Sequence, residues 1–315
     1  MPEMSFAMEL LLFLEVLING LLSGIMYSLV ALGFVLIFKA SGIFNFAQGA
    51  FVLFAALTFV SFLEAAIMGA ENSGLLYFVA CLMLTLVVMA VYGVAVERIV
   101  LRPLVNQPLI ILFMATIGLN FFTEGFAQLI WGTEVHRLDL GIPDEPMGWL
   151  LDKTDMYITA FDVAAAAIAA GLVLSLSLFF SKTRTGRALR AVSDDHQAAM
   201  SVGIPLQHIW AITWGVAGAI GLIAGILWGA KLGVHFSLAL LALKALPVLI
   251  IGGFDSIAGA IVGGLIIGAS EKLAEFYLSG IVGGALENWF PYILATLFLL
   301  VRPQGLFGEK IIERV

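Results

Sequence analysis

Hydrophobic residues run along this chain in blocks of roughly twenty, broken by short polar stretches. A helix rises about 1.5 Å per residue, so a hydrocarbon layer of about 30 Å needs about 20 apolar residues to cross it. Residues 16–38, 43–63, 75–96, 163–181 and 209–230 meet that requirement, and 103–131 meets it with Glu124 as its one interruption. Beyond Lys231 the pattern loosens. Residues 232–253 contain His235 and Lys244, 256–270 is short, and 281–301 contains Glu287. The expected fold is all-α, a polytopic transmembrane helical bundle of eight to nine spans, some of them discontinuous.

Charge in the breaks orients these spans. Arg98 and Arg102 mark one cytoplasmic loop, and Lys182, Arg184, Arg187 and Arg190 mark another two crossings later. The N-terminus then lies outside. Arg302, Lys310 and Arg314 place the C-terminus inside, which nine crossings satisfy if 232–253 and 256–270 both traverse; a re-entrant final segment gives eight. The outer loop 132–159 holds Glu134, Asp139, Asp144, Glu145, Asp152 and Asp155 against Arg137 and Lys153. It reads as a solvated connector or as a docking surface for an extracytoplasmic partner. Pro143 and Pro146 are expected to exclude a regular helix there, and Trp131, Trp149 and Tyr157 suit a membrane interface.

Composition turns the pattern into a class. Hydrophobic residues make 62% of the 315 and charged residues 12%, with a mean hydropathy of +1.08. Too little polar surface remains to coat a soluble globule. The net charge of −7 offers no basic field for nucleic acid. The lone Cys81 excludes an internal disulfide and reads as a small core residue. Glu3 and Glu9 without a Lys or Arg are unlike the basic start of a secretory signal, so the N-terminal segment is expected in the mature chain.

Catalytic patterns are sparse. The histidines at 136, 196, 208 and 235 never pair at i, i+4, and no G-x-S-x-G elbow or phosphate-binding P-loop occurs. No catalytic residue, metal site or cofactor is expected, and any ATP driving the protein is hydrolysed by another subunit. An intramembrane aspartyl protease would need two carboxylates at mid-bilayer, and Asp255 has no evident mate. Glu124, 22 residues after Arg102, falls about 33 Å along a helix and near the outer interface.

Glycine recurs at every fourth position in Gly221, Gly225 and Gly229, and in the pairs Gly20–Gly24, Gly259–Gly263, Gly264–Gly268 and Gly280–Gly284. That spacing brings helices into close contact inside a bundle or between subunits. Two further places break the helical pattern, one in each half: Ser41 to Ala50 around Asn45 and Gln48, and Gly252 to Ala260 around Asp255. Matched interrupted spans point to a translocation pathway, while Asn45 and Asp255 also stand where a residue would cap a helix. A cytoplasmic segment, 182–208, carries helix formers from Ala188 and a stop at Gly203 and Pro205. On one continuous helix Leu189, Val192, Ala199 and Met200 share a side, with Asp194, Asp195 and Gln197 towards another. Such a helix lies on lipid or docks into a partner.

These residues resemble the inner-membrane permeases of ATP-binding-cassette (ABC) transporters, of the LivH branched-chain amino acid type. The resemblance rests on Asn45-Phe46-Ala47-Gln48-Gly49, Arg102-Pro103-Leu104, Gly186-Arg187-Ala188-Leu189-Arg190-Ala191, Lys244-Ala245, Gly252-Gly253-Phe254-Asp255-Ser256 and Arg302-Pro303-Gln304-Gly305-Leu306-Phe307-Gly308. Gln197-Ala198-Ala199 followed by Gly203 is similar to the EAA-x-x-x-G coupling loop of such permeases, departing at Gln197 where Glu is usual. The resemblance implies a single permease domain over 1–315, with a coupling loop at 182–208, in a bacterial-type inner membrane. It implies two ABC ATPase subunits, a second related permease and a periplasmic or extracellular substrate-binding protein as partners. Amino acids, branched-chain ones first, or small amides are the implied cargo. ATPase coupling is implied for Arg187, Arg190, Asp194, Asp195, Gln197, Ala198, Ala199 and Gly203, and pathway lining for Asn45, Gln48 and Asp255. The alternative is a secondary transporter driven by protons or sodium through Asp255.

Overall fold

The computed structural model describes residues 6–69, 74–104, 107–194 and 196–308. The helices in chain order are α1 (Phe6–Ser41), α2 (Gln48–Gly69), α3 (Leu75–Val96), α4 (Leu109–Trp131), α5 (Gly148–Thr154), α6 (Ala160–Lys182), α7 (Arg184–Asp194), α8 (His196–Ser201), α9 (Leu206–Leu232), α10 (Leu241–Gly252), α11 (Ile257–Val282) and α12 (Leu286–Val301). Among the described residues no strand forms; two isolated bridges join His136 to Val234 and Pro146 to Thr159. Among the described residues seven helices are long and apolar enough to cross a membrane, and Phe236–Gly252 and Leu286–Val301 are shorter apolar segments. The total of nine agrees with the expected eight to nine spans.

Several boundaries differ from expectation for physical reasons. The segment expected to be short, 256–270, belongs to α11, which continues to Val282. Hydropathy falls at Ser270, Glu271 and Lys272, but the helix continues because Glu271 meets Lys244 and Lys272 meets Glu287. Residues 232–253 resolve into a 3₁₀ turn, Phe236–Leu240, followed by the 12-residue α10 with Pro247 inside it. The outer loop does contain a helix, α5, because proline forbids the turn around itself and leaves the chain from Gly148 onward unrestricted.

Two compact units emerge, each built from separated stretches. The first takes α1 as far as Ala31, residues 139–173, and the described chain from Lys244 onward. Its central contact is the crossing of α1 with α11. A methyl added at Gly24 would stand 2.5 Å from the Gly264 carbonyl oxygen, and one at Gly268 would stand 2.3 Å from that of Gly20. The Ser28 hydroxyl lies 2.9 Å from the Gly24 carbonyl and 3.3 Å from that of Ile261, sealing the same crossing. After α12 the chain returns to α10, where the Leu306 and Phe307 N–H groups donate to the carbonyls of Ile251 (2.7 Å) and Gly252 (3.1 Å).

The second unit holds residues 32–138 and 174–243. Here α2 is the core helix, and Phe51, Phe59, Leu53 and Leu57 are almost wholly buried. Gly225 brings α9 onto α2, where a methyl would stand 2.5 Å from the Val52 carbonyl oxygen. Gly93 brings α3 onto α9 at Trp214, with 2.7 Å in the same test. Cys81 is buried on α3 as a small core residue. Of the spaced glycine pairs, Gly280–Gly284 makes no such crossing, since no atom lies within 4 Å of a methyl at Gly280.

Gly24→Val forces a branched side chain into the α11 backbone and should cost about 1–3 kcal/mol of overpacking. The check is a lowered melting midpoint in detergent; Gly280→Ala, with open space around it, should leave that midpoint unchanged.

Candidate functional site

The cytoplasmic segment turns a corner at Gly186 into the helical stretches α7 and α8. Thr183 caps α7: its Oγ1 accepts from the Gly186 N–H (3.1 Å) and its carbonyl from the Arg187 N–H (3.1 Å). At Gly186 the chain doubles back over the end of α6 so tightly that a methyl would stand 2.1 Å from the Phe180 carbonyl oxygen. The Arg190 guanidinium donates to the Ser181 carbonyl at 3.0 Å, holding a cation at the C-terminal end of α6. Leu189 and Val192 are buried, whereas Arg187, Arg190 and Asp194 are exposed.

In α8, Ala199 is buried and Ala198 exposed, but Met200 is 51% exposed. The expectation that Met200 shares the buried side with Leu189 and Val192 therefore fails. Met200 stands in the last turn of α8 and lines a cleft instead of packing into the core. After α8 the Ile204 N–H donates to Ala199 and the Gly203 N–H to Met200, both at 3.0 Å. This is a Schellman turn, and Gly203 occupies its left-handed position with φ +87°. Pro205 then precedes α9. Beside the corner lies a cleft of about 420 Å³ lined by Arg102, Met200, Gly203, His208 and Trp210. Asp195 and the side chain of Gln197 lie outside the described residues.

The break after α1 is tied down by amides. Asn45 accepts from the Ala47 N–H at Oδ1 (3.1 Å) and donates from Nδ2 to Gln48 Oε1 (3.3 Å). Asn45 thus makes a tight turn ahead of α2. Thr116 on α4 closes the turn, accepting from the Phe46 N–H at 3.1 Å. The Gln48 amide lies against the α1 backbone at Gly33, where a methyl would stand 2.2 Å from Nε2. Asn45 and Gln48 are both fully buried, and Gln48 Nε2 has no partner among the described residues.

Asp255 belongs to the first unit and the Asn45–Gln48 pair to the second. Asp255 is half-buried. The cap of α11 is its neighbour Ser256, whose hydroxyl accepts from the Gly259 N–H at 3.0 Å. For Glu124 the distance along the helix is shorter than expected. Helix α4 starts at Leu109, so Glu124 rises about 22 Å along it, half-buried and accepting from Asn120 Nδ2 at 2.9 Å.

Sequence reasoning passed over one cluster. Lys244 Nζ lies 3.3 Å from Glu271 Oε1, and the Tyr27 hydroxyl donates to the same oxygen at 3.1 Å. The available signal was two opposite charges within apolar blocks, but 27 residues separate them in the chain. No group of three His, Cys, Asp or Glu among the described residues could hold a metal ion.

The family model for the permease component of branched-chain amino acid transport systems matches residues 16–302. The chain belongs to this permease family. It is 29% identical to the high-affinity branched-chain amino acid transport system permease LivH of Escherichia coli K12, over 98% of this chain and 99% of that one. The LivH of Salmonella typhimurium LT2 gives the same identity and coverage, and BraD of Pseudomonas aeruginosa gives 27% over 98% and 99%. The permease is a multi-pass inner-membrane subunit of an ATP-driven importer, a transport subunit rather than an enzyme, and works with ATPase and substrate-binding partners. Family membership does not favour an ion-coupled secondary transporter.

Gly186→Val should push α7 off the end of α6 and expose the corner. With an overpacking cost of about 1–3 kcal/mol, trypsin should cut at Arg187 and Arg190 roughly tenfold faster in inside-out vesicles. An unchanged cleavage rate would mean that the close approach at Phe180 is not what holds α7.

Proposed function

We propose that this permease imports branched-chain amino acids, with related small amides as the nearest other cargo. In this reading it forms a single permease domain that pairs with a second related permease and two ABC ATPase subunits. A periplasmic or extracellular binding protein delivers the solute. The α7–α8 corner is the ATPase docking element, with Arg187, Arg190, Asp194, Asp195, Gln197, Ala198, Ala199 and Gly203 as its coupling residues. Asn45, Gln48 and Asp255 line the translocation pathway.

The observation that supports the docking role is how the corner is mounted. It is capped by Thr183, pinned to Ser181 by Arg190 and closed by the Gly203 turn, while its charged side faces outward. An element fixed at both ends transmits a push into α6 and α9 instead of absorbing it by bending. ATPase closure moves the corner, and rigid helices carry that motion to the interrupted spans. The cargo class is supported by the roles of the relatives, each of which spans almost the same length.

Charge reversal by Arg187→Glu should lower recovery of the ATPases with the tagged permease about tenfold, since complementary interface charges are worth 1.4 kcal/mol or more. Membrane insertion should be unaffected, because Arg187 is exposed. Wild-type recovery of the ATPases would remove the docking assignment. Asp255→Leu, by contrast, should change uptake of labelled leucine while the ATPases stay bound; unchanged uptake kinetics would take Asp255 off the pathway.

A further inference from the structure

The cluster of Tyr27, Lys244 and Glu271 differs from the other ionic contacts of the first unit. Glu271 is the fifteenth of 26 residues in α11, about 21 Å from its start and about 17 Å from its end. Its side chain is 2% exposed. Both donors act on one atom: the Tyr27 hydroxyl and the Lys244 ammonium meet Oε1, while Oε2 is buried with no partner among the described residues. The Lys244 ammonium also lies 5.9 Å from the centre of the Tyr27 ring. Lys244 remains 23% exposed, so the cluster has a sealed acidic end and an accessible basic end.

The nearby Lys272–Glu287 pair makes the contrast clear. Its side chains are 37% and 38% exposed, and Glu275 beside it accepts from the N–H groups of Ala285 (3.3 Å) and Glu287 (3.0 Å). That second set ties the α11–α12 turn together, and its contacts account for its presence. The Lys244–Glu271 pair has no turn to hold. A buried ion pair is often replaced by apolar residues without loss of stability, and an ionisable group inside a membrane marks a pathway or a partner.

We propose that Glu271 and Lys244 form a docking station for the backbone of a zwitterionic α-amino acid. The solute ammonium binds Glu271 Oε2, and the solute carboxylate binds Lys244 Nζ. Four charges then alternate in sign around a closed ring, so the solute's two charges leave water together and each finds an opposite partner. Tyr27 holds Oε1 and leaves Oε2 without a protein partner among the described residues; Oε2 is buried here, so the solute ammonium reaches it only when opening of the pathway uncovers the acidic end. Because the station reads only the backbone, it accepts amino acids whatever their side chain and leaves selection to the delivering protein. An amine or a carboxylic acid lacking the other group would leave one charge of the station unanswered. This inference rests on the amino-acid reading given above.

The test is the complete transporter in proteoliposomes, measuring labelled leucine accumulated per ATP hydrolysed. Glu271→Gln and Lys244→Met should each lower that ratio about tenfold, with receptor-stimulated hydrolysis held within about twofold, because tenfold corresponds to one lost polar contact of ordinary strength. Tyr27→Phe removes no charge and should lower the ratio by about two- to threefold. Lys272→Gln should leave it unchanged. A wild-type ratio in whichever of Glu271→Gln and Lys244→Met assembles overturns the station. If neither assembles, a wild-type ratio in Tyr27→Phe does so. A wild-type complex that accumulates no amino acid defeats the amino-acid reading, and the station with it.

Discussion

The absence of water from the bilayer core governs this molecule. Any polar group placed there must find its partner within the protein, and helices gain no hydrophobic drive by associating, because lipid is as apolar as they are. What remains is close packing of backbones and complete pairing of whatever is polar. Both are visible. Gly24 and Gly268 let α1 and α11 touch backbone to backbone, and Gly225 does the same for α9 on α2. Buried hydroxyls of Ser41, Thr58, Thr85, Thr123 and Thr213 all donate back to the carbonyl one turn earlier. The polar atoms that break this rule are then informative, because nothing in the surroundings excuses them.

How much of this was legible depends on the length scale of each signal. Residues 75–96 coincide with α3, because a block of apolar residues bounded by polar ones is a local property. Residues 256–270 were misjudged because hydropathy averages over charge and cannot know that Glu271 has Lys244 across from it. The corner at 182–208 was legible as an element: basic residues, helix formers and a glycine stop are all local. What faces inward at its end was not: Met200 stands in the last turn of α8 and is exposed, because a cleft and not packed core lies against it. Asp255 was expected to cap by residue type, and the backbone geometry gives the cap position to its neighbour Ser256.

The departure at Gln197 has a structural context. The glycine four residues after Ala199 is required by the Schellman turn, whose left-handed position excludes most side chains. That requirement is backbone chemistry and holds whether the first residue of the motif is Glu or Gln. The small residues Ala198 and Ala199 have different surroundings, Ala199 buried against the protein and Ala198 exposed. The conformation of the corner thus depends on glycine and alanine, while Arg187, Arg190 and Asp194 supply the charge pattern presented outward.

The glycine crossing and the charged cluster are linked by register. Gly24 lies three residues before Tyr27 on α1, and Gly268 three residues before Glu271 on α11, one helical turn in each case. Ser28, next to Tyr27, bonds across to the α11 carbonyl at Ile261. A tyrosine hydroxyl reaches a carboxylate on a neighbouring helix at 3.1 Å only if the two axes are close, and the glycines set that closeness one turn away. Larger residues at the crossing would separate the axes and leave Glu271 with Lys244 as its one donor. The small residues therefore do more than pack the bundle. They fix the distance at which a buried carboxylate is half satisfied, with one oxygen doubly engaged and the other left open.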